Sequence, residues 1–261
     1  MTRLETRDLS LKYQDKFVIQ HLGISFEKGS VYSIIGPNGC GKSTLLKALA
    51  RQLKPAGGQV LLDSKPLSDL NGKDVARQLS YMAQSQESIE ITVKELVGYG
   101  RTPHQPYWNH VSVKDREITE WALEATALTP YEDRLLHTLS GGERQRAWIA
   151  MALAQQPGVL LLDEPTTYLD IAHQLEVLEL VRGLNQQLNM TVIMVLHDIN
   201  HASIYSDYIL AMKSGKVEGY GSPSEVLTPD LLGRVFGVEA SVETDPVRDK
   251  PICRITGLIK K

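Results

Sequence analysis

Residues 31–50, VYSIIGPNGCGKSTLLKALA, decide how the rest of the chain is read. Val31 to Ile35 is an apolar run of strand type, and Leu45, Leu46 and Leu49 recur at helical spacing. Between them lies the glycine-rich turn Gly36-Pro37-Asn38-Gly39-Cys40-Gly41-Lys42-Ser43-Thr44. A strand, a glycine-rich loop and a helix in this order make a concave anion site. The glycines let consecutive N–H groups curl inward, and the helix start adds the positive end of its dipole. In such a loop Lys42 reaches the β- and γ-phosphates of a nucleotide and the Ser43 hydroxyl ligates Mg²⁺. The plainer reading is a glycine turn without a ligand; the flanking strand and helix favour the phosphate loop.

Working outward, Val159 to Asp163 and Thr191 to His197 are nearly continuous apolar runs, as expected of parallel strands buried on both faces. A helix over 171–188 makes the crossover between them. Leu79 to Gln84, LSYMAQ, reads as another strand. Ligands of open parallel sheets gather beyond the carboxyl ends of the strands, so Gly36, Gln84, Asp163-Glu164 and His197 are expected to converge on one edge. Asp163 is suited to hold Mg²⁺ through water, and Glu164 to polarise the water that attacks the γ-phosphate. The alternative is an acidic pair that caps the next turn. His197 either senses the γ-phosphate or is a hydrogen-bonded strand end. His197 and His201 are not read as metal ligands, because HDINH lacks the glutamate of HExxH.

Residues 4–11 and 17–26 alternate as antiparallel strands around the polar turn Gln14-Asp15-Lys16, with Tyr13 at the end of the first. A short strand is expected at Val60 to Asp63. Thr92-Val93-Lys94-Glu95 and Ser112-Val113-Lys114-Asp115 carry capping-box patterns, the second opening a helix to about Ala127. A further helix spans about Ser140 to Gln155, and residues 88–157 are read as a helical subdomain inserted in a single domain of 1–261. Tyr208–Met212 and Lys216–Tyr220 form a hairpin signal, two short helices start at Ser222 and Thr228, and the tail from Ala240 to Ile255 has weak strand character. Ser140-Gly141-Gly142-Glu143 is a capping box, yet a cap does not call for two glycines in the first turn, where each weakens the helix by ~1 kcal/mol. Their bare amides point to a second anion site.

At 261 residues and 42% hydrophobic, the chain can bury a sizeable core. A net charge of -3 argues against an overall affinity for nucleic acid. Cys40 and Cys253 are too few for a disulfide framework, and MTRLETRDLS lacks the apolar run of a signal peptide, so a cytosolic setting is expected. No apolar run approaches the ~18 residues of a membrane span, which leaves any membrane association to partners.

The segment Leu139 to Arg146, LSGGERQR, resembles the signature of ABC ATPases. It lies between GPNGCGKST and VLLLDEP and is followed by Asp170 and His197. The resemblance covers nearly the whole chain. It implies an α/β fold, a P-loop NTPase (RecA-like) core with an antiparallel β subdomain and an inserted helical subdomain. It also implies that Tyr13 stacks on adenine, Gln84 belongs to the Q-loop and contacts Mg²⁺, Asp170 is the aspartate of the D-loop, and His197 is the switch histidine. In the family two copies pair head to tail, so that ATP lies between the phosphate loop of one and Ser140, Gly141 and Gly142 of the other. Closure of the pair moves attached permease subunits.

VGYGRTPH (Val97 to His104), DEPTTYLDIAHQ (Asp163 to Gln174), LHDINHA (Leu196 to Ala202) and VFGVEA (Val235 to Ala240) are similar to the ATPases of importers for ferric siderophores, haem and cobalamin. The resemblance implies a peripheral protein on the cytoplasmic face of the membrane, served indirectly by a substrate-binding lipoprotein. Iron-siderophore import is the reading adopted. Import of haem, cobalamin or a metal ion is the alternative. A soluble ABC ATPase is disfavoured, because neither a long coiled coil nor a second ATPase domain is present. A GTP-binding switch is disfavoured because no Asn-Lys-x-Asp segment occurs. The loop 85–91, with Glu87 and Glu90, is expected to carry coupling between Gln84 and the permease.

Overall fold

The computed structural model describes residues 3–84, 90–105 and 111–259. The chain begins with β1 (Leu4–Tyr13), β2 (Lys16–Phe26), β3 (Val31–Ile35), α1 (Lys42–Leu49), β4 (Gly57–Leu62) and β5 (Lys65–Pro66). Then follow α2 (Gly72–Gln78), β6 (Leu79–Met82), α3 (Val93–Tyr99), α4 (Val113–Ala125), α5 (Gly141–Ala154), β7 (Val159–Asp163), α6 (Ile171–Leu188) and β8 (Thr191–Val195). The last third holds α7 (Ile199–Tyr205), β9 (Tyr208–Lys213), β10 (Lys216–Gly221), α8 (Pro223–Val226), α9 (Pro229–Phe236), β11 (Val238–Thr244) and β12 (Pro251–Leu258).

The central sheet runs β10-β9-β3-β8-β7-β6, parallel throughout except for β10. Its inner strands are apolar on both faces because both faces are covered. Val31, Ile35, Leu160, Leu162, Val192 and Met194 face the helices α3 to α7. Tyr32, Ile34, Val159, Leu161, Ile193 and Val195 face α1 and the second, antiparallel sheet, ordered β2-β1-β4-β5. The α1 helix is thus enclosed, with Leu45, Leu46 and Leu49 wholly buried. That fixes the phosphate loop ahead of it to the edge of the central sheet.

The structure agrees with the expected helices over 93–99, 113–125, 141–154 and 171–188, and both capping boxes form, Thr92 with Glu95 and Ser112 with Asp115. Sequence reasoning did not find α2, a seven-residue helix with the single buried side chain Val75 and therefore no apolar period. The tail forms a complete hairpin, β11–β12, rather than weak strand character. Among the described residues no helix is long and apolar enough to cross a membrane. Of the expected coupling loop, residues 85–89, and with them Glu87, lie outside the described residues; Glu90 is exposed.

Candidate functional site

The phosphate loop is shaped by backbone conformations that only glycine adopts cheaply. Gly39 and Gly41 have φ of 74° and 108°, and a Cβ on Gly36 would stand 2.2 Å from the Met212 carbonyl oxygen. Lys42, 5% exposed, closes the loop by donating from Nζ to the carbonyls of Gly36 (2.8 Å) and Pro37 (3.1 Å). The first bond within α1 runs from Leu45 N to the Gly41 carbonyl, so the amides of the first turn face the loop. Gly41 offers no side chain to cap them. Every other α-helix among the described residues has a side-chain cap or a capping box. A helix start left uncapped at the floor of a cleft is a site for an external anion. Cys40, buried in the same loop, has its thiol pKa pushed up by burial.

The polar ends of the strands gather where the topology places them. Ser43 Oγ donates to Asp163 Oδ1 (2.8 Å), and Tyr81 Oη donates to the other oxygen (3.3 Å). Burial raises the Asp163 carboxyl above the usual range, with the Ser43 bond acting against it. A 2%-exposed carboxylate with a hydroxyl oxygen alongside is an all-oxygen donor set, which fits Mg²⁺.

Glu164 is held in a left-handed conformation, φ 54°, ahead of Pro165, a strained geometry for a residue that precedes proline. Its carboxylate has partners on both oxygens. Gln84 Nε2 and Thr167 Oγ1 (3.0 Å) donate to Oε2, and His197 Nε2 lies 2.7 Å from Oε1. Gln84 and His197 both stand two residues beyond the ends of their strands. The contact the structure gives Gln84 is with Glu164, not with the Ser43–Asp163 pair where a role at Mg²⁺ was expected. Tyr81 and Thr167 were not singled out from the sequence. For Tyr81 the signal was its alternation within LSYM, which puts it on the face opposite Ser80 and Met82.

Tyr13 is 60% exposed and, with Val18, forms the outer wall of a cleft of about 480 Å³. Asn38, Gly39, Gly41, Lys42, Ser43 and Thr44 line its floor, and Gln84, Glu164 and His197 its far side. A phenol ring at the rim and amides with an ammonium at the base suit a planar base joined to phosphates.

Ser140, Gly141, Gly142 and Asp170 do not line this cleft. They form a second cluster, where α5 starts against α6. The Ser140 hydroxyl accepts from Glu143 N (3.3 Å), and the Glu143 carboxylate accepts from Ser140 N (2.8 Å), which holds the Glu143 pKa low. Asp170 caps α6 by accepting from His173 N, and lies 2.8 Å from His173 Nδ1. Gly142 is buried, and a Cβ there would stand 2.3 Å from His173 Cδ2. This glycine therefore has a packing requirement that the sequence argument did not include. Gly141 is exposed.

A fold of this kind with an uncapped phosphate loop facing an acidic strand end defines a nucleotide-hydrolysing subunit. The ABC transporter family profile matches residues 19–167. The chain is 47% identical to the iron(3+)-hydroxamate import ATP-binding protein FhuC of Bacillus subtilis, over 100% of this chain and 97% of that one. It is 50% identical to the petrobactin import ATP-binding protein FpuC of Bacillus anthracis, over 88% and 85%. Identity to the ferric enterobactin transport ATP-binding protein FepC of Escherichia coli is 43%, over 97% and 93%. A structure assigned to the metal-chelate type of ABC transporter, inward-facing, superposes with a TM-score of 0.85 at 28% identity, covering 98% of this chain and 97% of that one. The dimeric cassette MJ0796 bound to ADP and Pi gives 0.72 at 28%, covering 84% and 98%. The chain belongs to the ABC transporter family, as an ATP-hydrolysing subunit.

Proposed function

We propose that this chain powers the import of an iron(III)–siderophore complex through permease subunits that it binds from the cytoplasmic face. The observation that carries the reading is the 43–50% identity, over most of the chain, to proteins named for hydroxamate, petrobactin and enterobactin uptake. The three names point to different ligands, so the class is supported rather than one member.

At the cleft, Tyr13 stacks on the base, while Lys42 and the amides of Gly39 to Thr44 hold the phosphates. Ser43 and Asp163 would hold Mg²⁺, which would supply charge neutralisation at the β- and γ-phosphates. Glu164 orients the attacking water and accepts its proton, and Gln84 and His197 fix the direction of that carboxylate. The strained backbone of Glu164 aims the side chain into the cleft instead of along the chain. Ser140 and the amides of Gly141 and Gly142 complete the site on a second copy, with Asp170 at the same seam. Support for this arrangement is that the cluster does not line the cleft of its own chain, together with the dimeric cassette among the similar structures. Residues 88–157 act as a helical subdomain within a single domain, and Gln84 precedes it. A substrate-binding lipoprotein supplies the cargo. Haem, cobalamin or metal-ion import is the second reading, and rests on the shared sequence texture.

The test is reconstitution of the subunit with its permease in liposomes supplied with loaded binding protein. ATP-dependent accumulation of iron(III) hydroxamate or catecholate complexes is expected. Accumulation of haem or cobalamin in their place would move the reading to the alternative.

A further inference from the structure

The segment LHDINHA contributes His197 to the cleft, but its Asn200 faces elsewhere. Asn200 Nδ2 donates to the Cys253 carbonyl (3.1 Å), and its Oδ1 accepts from Cys253 N (2.8 Å). One turn on, Ser203 Oγ donates to the Pro251 carbonyl (2.6 Å). Both partners lie in β12, on the edge turned away from β11. A two-stranded hairpin is marginal alone, and its outward backbone groups need partners. Two side chains of α7 stand in for a third strand, and an amide is suited to do so because it both donates and accepts.

The dependence runs both ways. With seven residues, α7 is too short to persist by itself and takes its orientation from its contacts. These are the burial of Ala202 and Tyr205 in the core, the Asp198 cap on His201 N (2.8 Å), the Tyr205 hydroxyl on Glu179 (2.8 Å) and the hairpin. His197 lies between the sheet, where Leu196 N donates to the Ile34 carbonyl (3.2 Å), and the cap of α7. Its side chain is 45% exposed, so its direction depends on the 2.7 Å contact with Glu164 and on the backbone at its two ends.

We propose that Asn200 is a positioning residue: by binding the C-terminal hairpin it fixes the start of α7 and so holds His197 against Glu164. The consequence for hydrolysis rests on the role proposed above for His197 and Glu164. The C-terminal hairpin is then part of the catalytic support, although it lies outside the cleft.

Ring-labelled histidine NMR on the full chain tests this. The His197 signal, one of seven, is identified by its loss in His197→Ala, and Glu164→Ala shows where it falls once the pairing is broken. In Asn200→Ala the His197 signal is expected to move toward that position while those of His21 and His137 stay. The kcat for ATP is expected to fall about 10-fold or more with KM within about twofold, as for a misplaced rather than missing group. Ser203→Ala, which removes one bond on the same edge, is expected to move the signal less in the same direction, and carries the test if Asn200→Ala does not fold. An unmoved His197 signal in a folded Asn200→Ala protein overturns the proposal. A moved signal with unchanged kcat upholds the positioning and counts instead against the role of His197 in hydrolysis.

Discussion

Gly142 lies so close to His173 that a single added carbon would stand 2.3 Å from the imidazole Cδ2. That ring is held 2.8 Å from Asp170, so an added methyl group must break the pair or shift the start of α5. We predict that Gly142→Ala lowers stability by about 1–3 kcal/mol despite the better helix propensity of alanine. Adding His173→Ala should recover the stability. If Gly142 also admits a phosphate, hydrolysis stays low in the double variant. Recovery of both thermal midpoint and ATPase activity would make Gly142 a packing glycine only.

The head-to-tail pairing is testable without a structure of the complex. A Lys42→Ala subunit combined with a Ser140→Arg subunit puts both lesions in one site and none in the other. Loss of a donor to the γ-phosphate costs about 3 kcal/mol at the transition state. Site-resolved nucleotide trapping should show one intact site and one dead site. Equal loss at both would mean that each copy works alone.

In the helical subdomain, Arg101 and Asp115 form an ion pair at 2.9 Å, with side chains 4% and 8% exposed. Arg101 also donates to the Ala154 carbonyl, tying α5 to α4. Burial alone would raise the Asp115 carboxyl, but the hydrogen bonds from Ser112 and Arg101 outweigh it and hold it below its usual value. The stabilisation is therefore present above the unfolded value, about 3.9, and is lost as pH falls through the folded one. Arg101→Met, which leaves the carboxylate buried and unpaired, should cost about 3–5 kcal/mol at neutral pH. Adding Asp115→Asn should recover part of that cost. As pH falls below about 4, the wild-type thermal midpoint should fall more steeply than that of Asp115→Asn. Parallel acid profiles would remove the pair from the stability of the subdomain.

How much of this was legible in the sequence depended on whether the chemistry was local. The phosphate loop was, because Val31 to Leu49 carries strand, turn and helix in one contiguous stretch. The capping boxes at Thr92 and Ser112 were, because each is completed within one turn. The convergence of Gln84, Glu164 and His197 followed from strand-end topology, but the identity of the contacts did not. The bond from Gln84 to Glu164 spans 80 residues, and nothing in LSYMAQ says that its amide meets the carboxylate instead of the metal side of the cleft. Gly142 against His173 and Asn200 against Cys253 are likewise tertiary contacts that leave no period or spacing in the chain. The α2 helix escaped because one buried valine makes no pattern.

The most direct test of the central claim is Glu164→Gln in the assembled transporter. If the carboxylate gathered by Gln84, Thr167 and His197 takes the proton of the attacking water, the amide keeps the shape and removes the base. ATP affinity should stay within about twofold, and turnover should fall roughly 10²–10⁴-fold, with an ATP-bound dimer accumulating. Hydrolysis by Glu164→Gln at close to the wild-type rate would contradict the account.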